Sequence, residues 1–229
     1  MTSKYAIIVA GGVGSRSGDS LPKQFHDLCG RPMLWWTLKA FHDEDPDTRL
    51  IVVMHSDFIE YWKETAGYDC PRHVLAMGGA TRKDSVAAGL SLIPNSDRGL
   101  VAVHDAARPL ASQRLIAEGW TKACKYGAVI PGVPVSDSLR EGNAYDNRSV
   151  DRARYYAVQT PQVFDIVLLK DAYRKTEADS STIFTDDASV AEAAGHRIHI
   201  YEGDPYNIKV TYPGDFRIAA DILSNRKQI

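Results

Sequence analysis

YAIIVA at residues 5–10, running straight into Gly11 and Gly12, is the stretch that decides the fold. Its side chains are apolar without alternation, which marks a strand buried on both faces, and such strands belong to parallel sheets covered by helices on either side. The glycines end it abruptly. Working outward, LIVVM at residues 50–54 reads as a second buried strand, and residues 73–77, 100–104 and 128–135 read as further strands. Between them, residues 34–41 (after Pro32), 56–66, 82–93 and 113–125 carry apolar side chains at helical spacing. Alternating strands and helices predict an α/β fold of three layers around a mainly parallel, twisted sheet.

Near the end of the chain, residues 185–194 predict a helix with Thr185 as N-cap and Ala188 as a small interior residue. Residues 197–201 and 207–211 predict short strands, and Pro213 opens a C-terminal helix. Residues 136–156 (SDSLREGNAYDNRSVDRARYY) break the rhythm, being polar, charged in both signs and punctuated at Gly142-Asn143 and Asp146-Asn147. They read as a projecting β-arm or as a mobile surface loop. An isolated two-stranded ribbon is marginal in water, so as an arm the segment would pack against something such as a second subunit. The chain contains 229 residues, so residues 1–229 are expected to form a single domain from which the arm projects.

Composition bounds the function classes. A hydrophobic fraction of 44 % with 24 % charged residues is globular, and a net charge of −2 gives no general attraction to nucleic acid or to an anionic membrane. Any polyanionic ligand must therefore meet a local group of cations. Cys29, Cys70 and Cys124 are odd in number and lack CxxC spacing, which suggests neither a disulfide framework nor a zinc site and fits a reducing cytosol. The N-terminus has no signal-peptide pattern, and no apolar run is long enough to span a bilayer.

The chemistry begins after the first strand, in AGGVGSRSGDSLPKQF from Ala10 onward. Closely spaced glycines let backbone N–H groups approach phosphate, and ligands of parallel sheets gather at strand ends. The spacing of Gly12, Gly14 and Gly18 does not match the dinucleotide fingerprint, and no Gly-Lys-Ser/Thr follows as a Walker A loop requires. Pro22 opposes a helix, so the loop would wrap a ligand and deliver Arg16 and Lys23 from its two ends, a geometry suited to a nucleoside triphosphate. The plainer alternative is a glycine-rich turn with solvated cations. Gly78-Gly79 with Arg82 and Ser85 opens a helix whose free N–H groups could read a base or a phosphate, unless it is an ordinary capped start. His104-Asp105-Ala106-Ala107-Arg108-Pro109 puts a carboxylate and a guanidinium at the ligand edge, where a structural salt bridge is the alternative. Val150-Asp151-Arg152, Gln159-Thr160-Pro161-Gln162, Thr185-Asp186-Asp187 and residues 207–211 (NIKVT) complete the set.

In this order and across nearly the whole chain, these segments closely resemble the 2-C-methyl-D-erythritol 4-phosphate cytidylyltransferase family. The resemblance implies a Rossmann-like nucleotidyltransferase fold and an enzyme that transfers CMP from CTP to a sugar-alcohol phosphate in non-mevalonate isoprenoid synthesis, releasing pyrophosphate. It implies that Arg16 and Lys23 hold the triphosphate and stabilise the transition state, and that Arg152 and Lys209 position the acceptor phosphate. Nucleotide contacts are implied at Ala10, Gly11, Gly12, Gly14, Ser15, Gly79, Arg82, Ser85 and Ala106. Acceptor contacts are implied at Asp105, Arg108, Ser138, Thr160 and Thr185. A homodimer with swapped arms and Mg²⁺ held mainly by the CTP phosphates follow from the same likeness, with Arg152 serving the neighbouring site.

Three positions depart from the family's usual pattern: Gly11 where a second Ala is more common, Ser138 in place of Thr, and Asp187 where Glu is frequent. The Ala-Gly-Gly opening is also similar to ribitol-5-phosphate cytidylyltransferases, whereas Val150-Asp151-Arg152 favours the erythritol enzyme. From another class, a non-catalytic nucleotide sensor on the same frame is the alternative, against which Arg16, Lys23 and Lys209 weigh. The physical chemistry suits phosphate attack. An acceptor phosphate monoester has its second pKa near ~6 and needs no general base, while two unit charges at ~4 Å repel by roughly 4 kcal/mol at an effective dielectric of about 20. Cations must neutralise both partners.

Overall fold

The computed structural model describes residues 3–12, 21–177, 182 and 184–226. Strand β1 (Ser3–Ala10) enters a 3₁₀ turn (Lys23–Phe25) through the loop, then the small antiparallel pair β2 (Asp27–Leu28) and β3 (Arg31–Pro32). Pro32 fixes the entry to α1 (Met33–Glu44), and β4 (Arg49–Met54) follows. Next come α2 (Ile59–Thr65), β5 (His73–Met77), α3 (Arg82–Ser91) and β6 (Gly99–Asp105). Ser112 caps α4 (Gln113–Tyr126), and Gly127, at a φ of 80°, turns the chain into β7 (Ala128–Pro134).

The arm is a ribbon of β8 (Leu139–Gly142) and β9 (Asn147–Val150), paired antiparallel with each other. Its tip is fixed by Asn143, whose side chain accepts from the N–H groups of Tyr145 and Asp146 at 2.9 Å each. A Cβ at Gly142 would sit 2.3 Å from the Asp146 carbonyl, so only glycine fits this turn. After the arm come β10 (Tyr156–Val158), β11 (Gln162–Asp165), α5 (Ile166–Lys175), α6 (Asp187–Ala193), β12 (His199–Glu202) and α7 (Pro213–Arg226).

The main sheet runs β10-β7-β11-β6-β1-β4-β5, with β12 also on β7. Strands β6, β1, β4 and β5 are parallel, whereas β11 is antiparallel to both β6 and β7 and β10 is antiparallel to β7. Alternate residues of β1 explain the three layers. Ala6, Ile8 and Ala10 join a core with Leu34, Leu38 and Phe41 of α1 and Leu115 and Trp120 of α4. Tyr5 and Ile7 join the opposite core with Val86 and Leu90 of α3 and Leu169 and Tyr173 of α5. A third cluster, Leu28, Met33, Leu110, Val210, Ala219 and Leu223, fastens the C-terminal segment beneath the strand ends.

Two sequence expectations need correction. The cap of α6 is Asp186, not Thr185: the Asp186 carboxylate accepts the Ser189 N–H at 3.0 Å, a bond that the charged oxygen makes better than a hydroxyl. Residues 207–211 form no strand, because their backbone bonds reach a loop instead of a ladder, as in Val210 N–H to the Ala107 carbonyl at 2.8 Å. Strand β11 and helix α5 went unread.

Candidate active site

From β1 the chain builds outward through β4 to β5, then returns to place β6 on β1's other side. That reversal leaves a crevice at the carboxyl ends of β1 and β6, the usual ligand position in open α/β sheets. A cleft of about 1180 Å³ occupies it. Ala10, Gly11 and Gly12 form one wall, Gly79, Arg82 and Ser85 another, Asp105 and Ala106 the floor, and Lys23 and Lys209 stand at its side.

Hydrogen bonds between segments hold the cleft together. The buried Gln24 amide donates to the carbonyls of Ala10 (2.7 Å) and Gly12 (3.1 Å), tying the returning loop to the strand end. Lys23 Nζ lies 2.7 Å from the Val210 carbonyl, which it reaches across the mouth of the cleft. Ala106 N–H donates to Val9 O at 3.0 Å, and the Thr37 hydroxyl donates to Ala106 O at the same distance. Thr81 and Asp84 form a reciprocal capping box at the start of α3. The Gly78 and Gly79 N–H groups are not free: they donate to Met54 O at 2.8 Å and to Ser85 Oγ at 3.3 Å, so of the two readings the capped helix start holds. Among the described residues a Cβ at Gly11 would meet Ser85 Oγ, at an ordinary 3.4 Å, so the backbone there does not demand glycine.

Asp105 is the electrostatic centre. Lys209 Nζ lies 2.8 Å from its Oδ2, Arg82 Nε 3.7 Å from Oδ1 and Arg108 Nε 3.9 Å from Oδ2. Burial alone would raise the carboxyl's pKa, but Lys209, Arg82 and Arg108 outweigh it and hold the group at about 2. Asp105 is therefore an acceptor only, suited to a hydroxyl and repulsive to a bare phosphate. Arg82 also reaches the fully buried Asp187 at 2.7 Å, where the Tyr173 hydroxyl donates to the second carboxylate oxygen at 2.6 Å. Burial would lower the Arg82 pKa, and Asp187 and Asp105 more than reverse that, so its charge is permanent. Arg108 donates to the Asn207 carbonyl at 2.8 Å and lies behind the cleft floor.

The structure thus brings Ala10, Gly11, Gly12, Lys23, Gly79, Arg82, Ser85, Asp105, Ala106 and Lys209 to one cleft. Thr160 is buried behind Asp105, while Ser138 and Thr185 are exposed and outside the lining. Arg152 stands at the base of the arm, donating to the Ser136 carbonyl, and is likewise no part of the lining of its own cleft. Gly14, Ser15 and Arg16 lie outside the described residues. Reading by motif missed Gln24, Thr37 and an aromatic side of the cleft where His26 stacks on Phe216 at 5.8 Å. The Lys-Gln-Phe-His sequence following Pro22 was its only signal.

Residues 5–225 match the family model described as 2-C-methyl-D-erythritol 4-phosphate cytidylyltransferase (IspD). The chain belongs to the 2-C-methyl-D-erythritol 4-phosphate cytidylyltransferase family. A cytidylyltransferase of that name from Bacteroides fragilis is 42 % identical over 223 residues, covering 96 % of this chain and 99 % of the relative. One from Clostridium novyi is 36 % identical over 99 % of both chains. The solved cytidylyltransferase of this name from Thermus thermophilus superposes with a TM-score of 0.78 at 30 % identity, covering 95 % and 98 % of the two chains. The 4-diphosphocytidyl-2C-methyl-D-erythritol synthase of Anaerococcus prevotii gives a TM-score of 0.84 at 26 % identity, over 97 % and 99 %.

Proposed function

We propose that the chain transfers CMP from CTP to 2-C-methyl-D-erythritol 4-phosphate, giving the CDP-linked methylerythritol and pyrophosphate. The observation that carries this reading is the convergence of Lys23, Arg82 and Lys209 on one cleft at the glycine-ended strand, around a carboxylate held ionised. An oxygen of the acceptor phosphate attacks the α-phosphorus of CTP, and the bond to the bridging oxygen breaks as pyrophosphate leaves. Arg16 and Lys23 meet the charge that develops on the triphosphate, while Lys209 draws in the acceptor phosphate. Asp105 engages the acceptor's polyol side, and Arg108 backs it from behind the cleft floor. His104 has both ring nitrogens committed to protein partners, so it takes no proton from a ligand, and the phosphate dianion needs none taken.

Mg²⁺ enters this reading as part of the nucleotide substrate. Among the described residues no group of three His, Cys, Asp or Glu side chains is placed to hold a metal ion. Bound to the nucleotide, Mg²⁺ neutralises triphosphate charge. The reading also includes a homodimer through the arm. No residue of the β8–β9 ribbon is buried and Tyr145 at its tip is fully exposed, which favours a covering partner; Arg152 at the base of the arm then serves the neighbouring site. A cytosolic enzyme is part of the same proposal, resting on the scattered cysteines.

Pyrophosphate release with Mg²⁺ and CTP tests the reading, using 2-C-methyl-D-erythritol 4-phosphate and ribitol 5-phosphate as competing acceptors. Turnover only with methylerythritol phosphate is expected. Preference for ribitol phosphate replaces the acceptor, and CTP binding without release from any acceptor makes the chain a sensor.

A further inference from the structure

His104 is fully buried at the end of β6, one residue before Asp105, with its ring against the edge of Phe41 at 5.2 Å. Its Nε2 lies 3.0 Å from the Arg108 carbonyl, which can only accept, so Nε2 carries the proton. The neutral ring then offers Nδ1 as an acceptor, and the Thr160 hydroxyl lies 3.0 Å from it. That hydroxyl in turn accepts the Asp105 N–H at 3.1 Å. Every donor has one acceptor, and the directions are forced: Asp105 N–H to Thr160, Thr160 O–H to His104, His104 Nε2–H to Arg108. The wire joins the two residues assigned above to the acceptor, and it crosses from β6 to the segment between β10 and β11.

We propose that His104 is a positioning residue of the acceptor site, which through Thr160 and the Arg108 carbonyl fixes the main chain that presents Asp105 and Arg108. This rests on the functional reading given above and adds to it a residue that touches no ligand. Burial favours the neutral ring that the wire needs, and its pKa lies at about 4. A charged ring would turn Nδ1 into a donor and take from Thr160 the acceptor of its own proton. Asn207 braces the same segment, its side-chain amide donating to the Thr160 carbonyl at 2.8 Å.

A double-mutant cycle tests the wire. His104→Gln can set its amide N–H where Nε2 stood, toward Arg108, with no atom at the Nδ1 position that faces Thr160, and Thr160→Val keeps shape without the hydroxyl. Each single variant is expected to raise KM for methylerythritol phosphate about tenfold while KM for CTP changes less than about twofold, with the double variant no worse than either. Additive losses, or equal rises in both KM values, overturn the proposal. Should the variants not fold, ¹⁵N-histidine spectra of the wild-type protein at neutral pH decide: one buried ring is expected with Nε2 protonated and Nδ1 bare, and the opposite tautomer removes the wire. A wild-type protein that releases no pyrophosphate removes the functional reading and the positioning role with it. The wrong tautomer in an active enzyme removes the wire alone.

Discussion

Lys209 Nζ lies 2.8 Å from Asp105 Oδ2, so a cation proposed to receive a phosphate already leans on a carboxylate proposed to bind hydroxyls. The pair is mutual in its effect: the ammonium keeps the carboxylate ionised, and the carboxylate holds the ammonium at the cleft instead of in solvent. Lys209 is still half exposed, so its substitution disturbs little packing.

Lys209→Met is therefore expected to lower kcat/KM about 100-fold or more with a melting temperature within a few degrees of wild type. Lys23→Ala and Arg16→Ala are expected to lower kcat by a similar factor, because their charge is needed most when the α-phosphorus is attacked. Steady-state pyrophosphate release with thermal unfolding checks all three. Turnover within twofold of wild type for any of them takes that side chain out of the mechanism.

The glycines make a sharper contrast. At Gly79 a Cβ would sit 2.3 Å from Asp84 Cβ and 3.3 Å from its carbonyl carbon, so α3 must shift and its capping box open. Gly79→Ala is expected to cost about 1–3 kcal/mol and to weaken CTP binding. At Gly12 a Cβ meets nothing within 4 Å among the described residues, and Gly12→Ala should leave stability within about 0.5 kcal/mol. Urea midpoints order the two, and equal midpoints would mean that the α3 start yields freely.

Much of this was legible before any coordinates. Continuous apolar runs marked β1, β4 and β6 because buried parallel strands have no polar face to hide, and the glycines after Ala10 marked the sheet edge where the cleft opens. Strand β11 escaped because Gln162-Val163-Phe164-Asp165 is short and bounded by polar residues whose partners lie elsewhere in the chain: the Gln162 carbonyl oxygen of the side chain accepts the Asp187 and Ala188 N–H groups at 3.0 Å. Residues 207–211 looked extended because Ile208 and Val210 are β-branched, yet the main chain there serves Arg108 and Ala107. Motifs located Asp105 and Lys209 singly. That they touch, and that His104 is wired between Asp105 and Arg108, depends on contacts between segments far apart in the chain.

Acid should expose the cost of keeping His104 neutral. Burial depresses its folded pKa to about 4 from the ordinary histidine value of 6.5, so the unfolded chain takes up the proton first. Its contribution is fully present above pH ~6.5 and is lost as pH falls toward ~4, amounting to on the order of 3 kcal/mol for a difference of roughly 2.5 pKa units. Asp105, held at about 2, adds a loss only at lower pH, once the unfolded carboxyl begins to protonate below about 4. Urea unfolding at pH 7 and pH 5 is expected to show a fall in wild type that His104→Gln flattens. An identical fall in both proteins would assign the acid sensitivity to other groups.

The arm yields the last prediction. Arg152 stands at the base of a ribbon with no buried residue and does not line its own cleft, whereas Lys23 does. If the arm crosses to a partner, Arg152→Ala and Lys23→Ala damage the site in different subunits. A mixed dimer then rebuilds one site from the intact Lys23 of one chain and the intact Arg152 of the other. Random reassortment of equal amounts makes half the dimers mixed, each with one sound site of two, so about a quarter of wild-type activity should return. Co-refolding the two inactive variants and following pyrophosphate release measures it. Activity that stays at the level of the separate variants would place Arg152 in the service of its own subunit, or outside the reaction altogether.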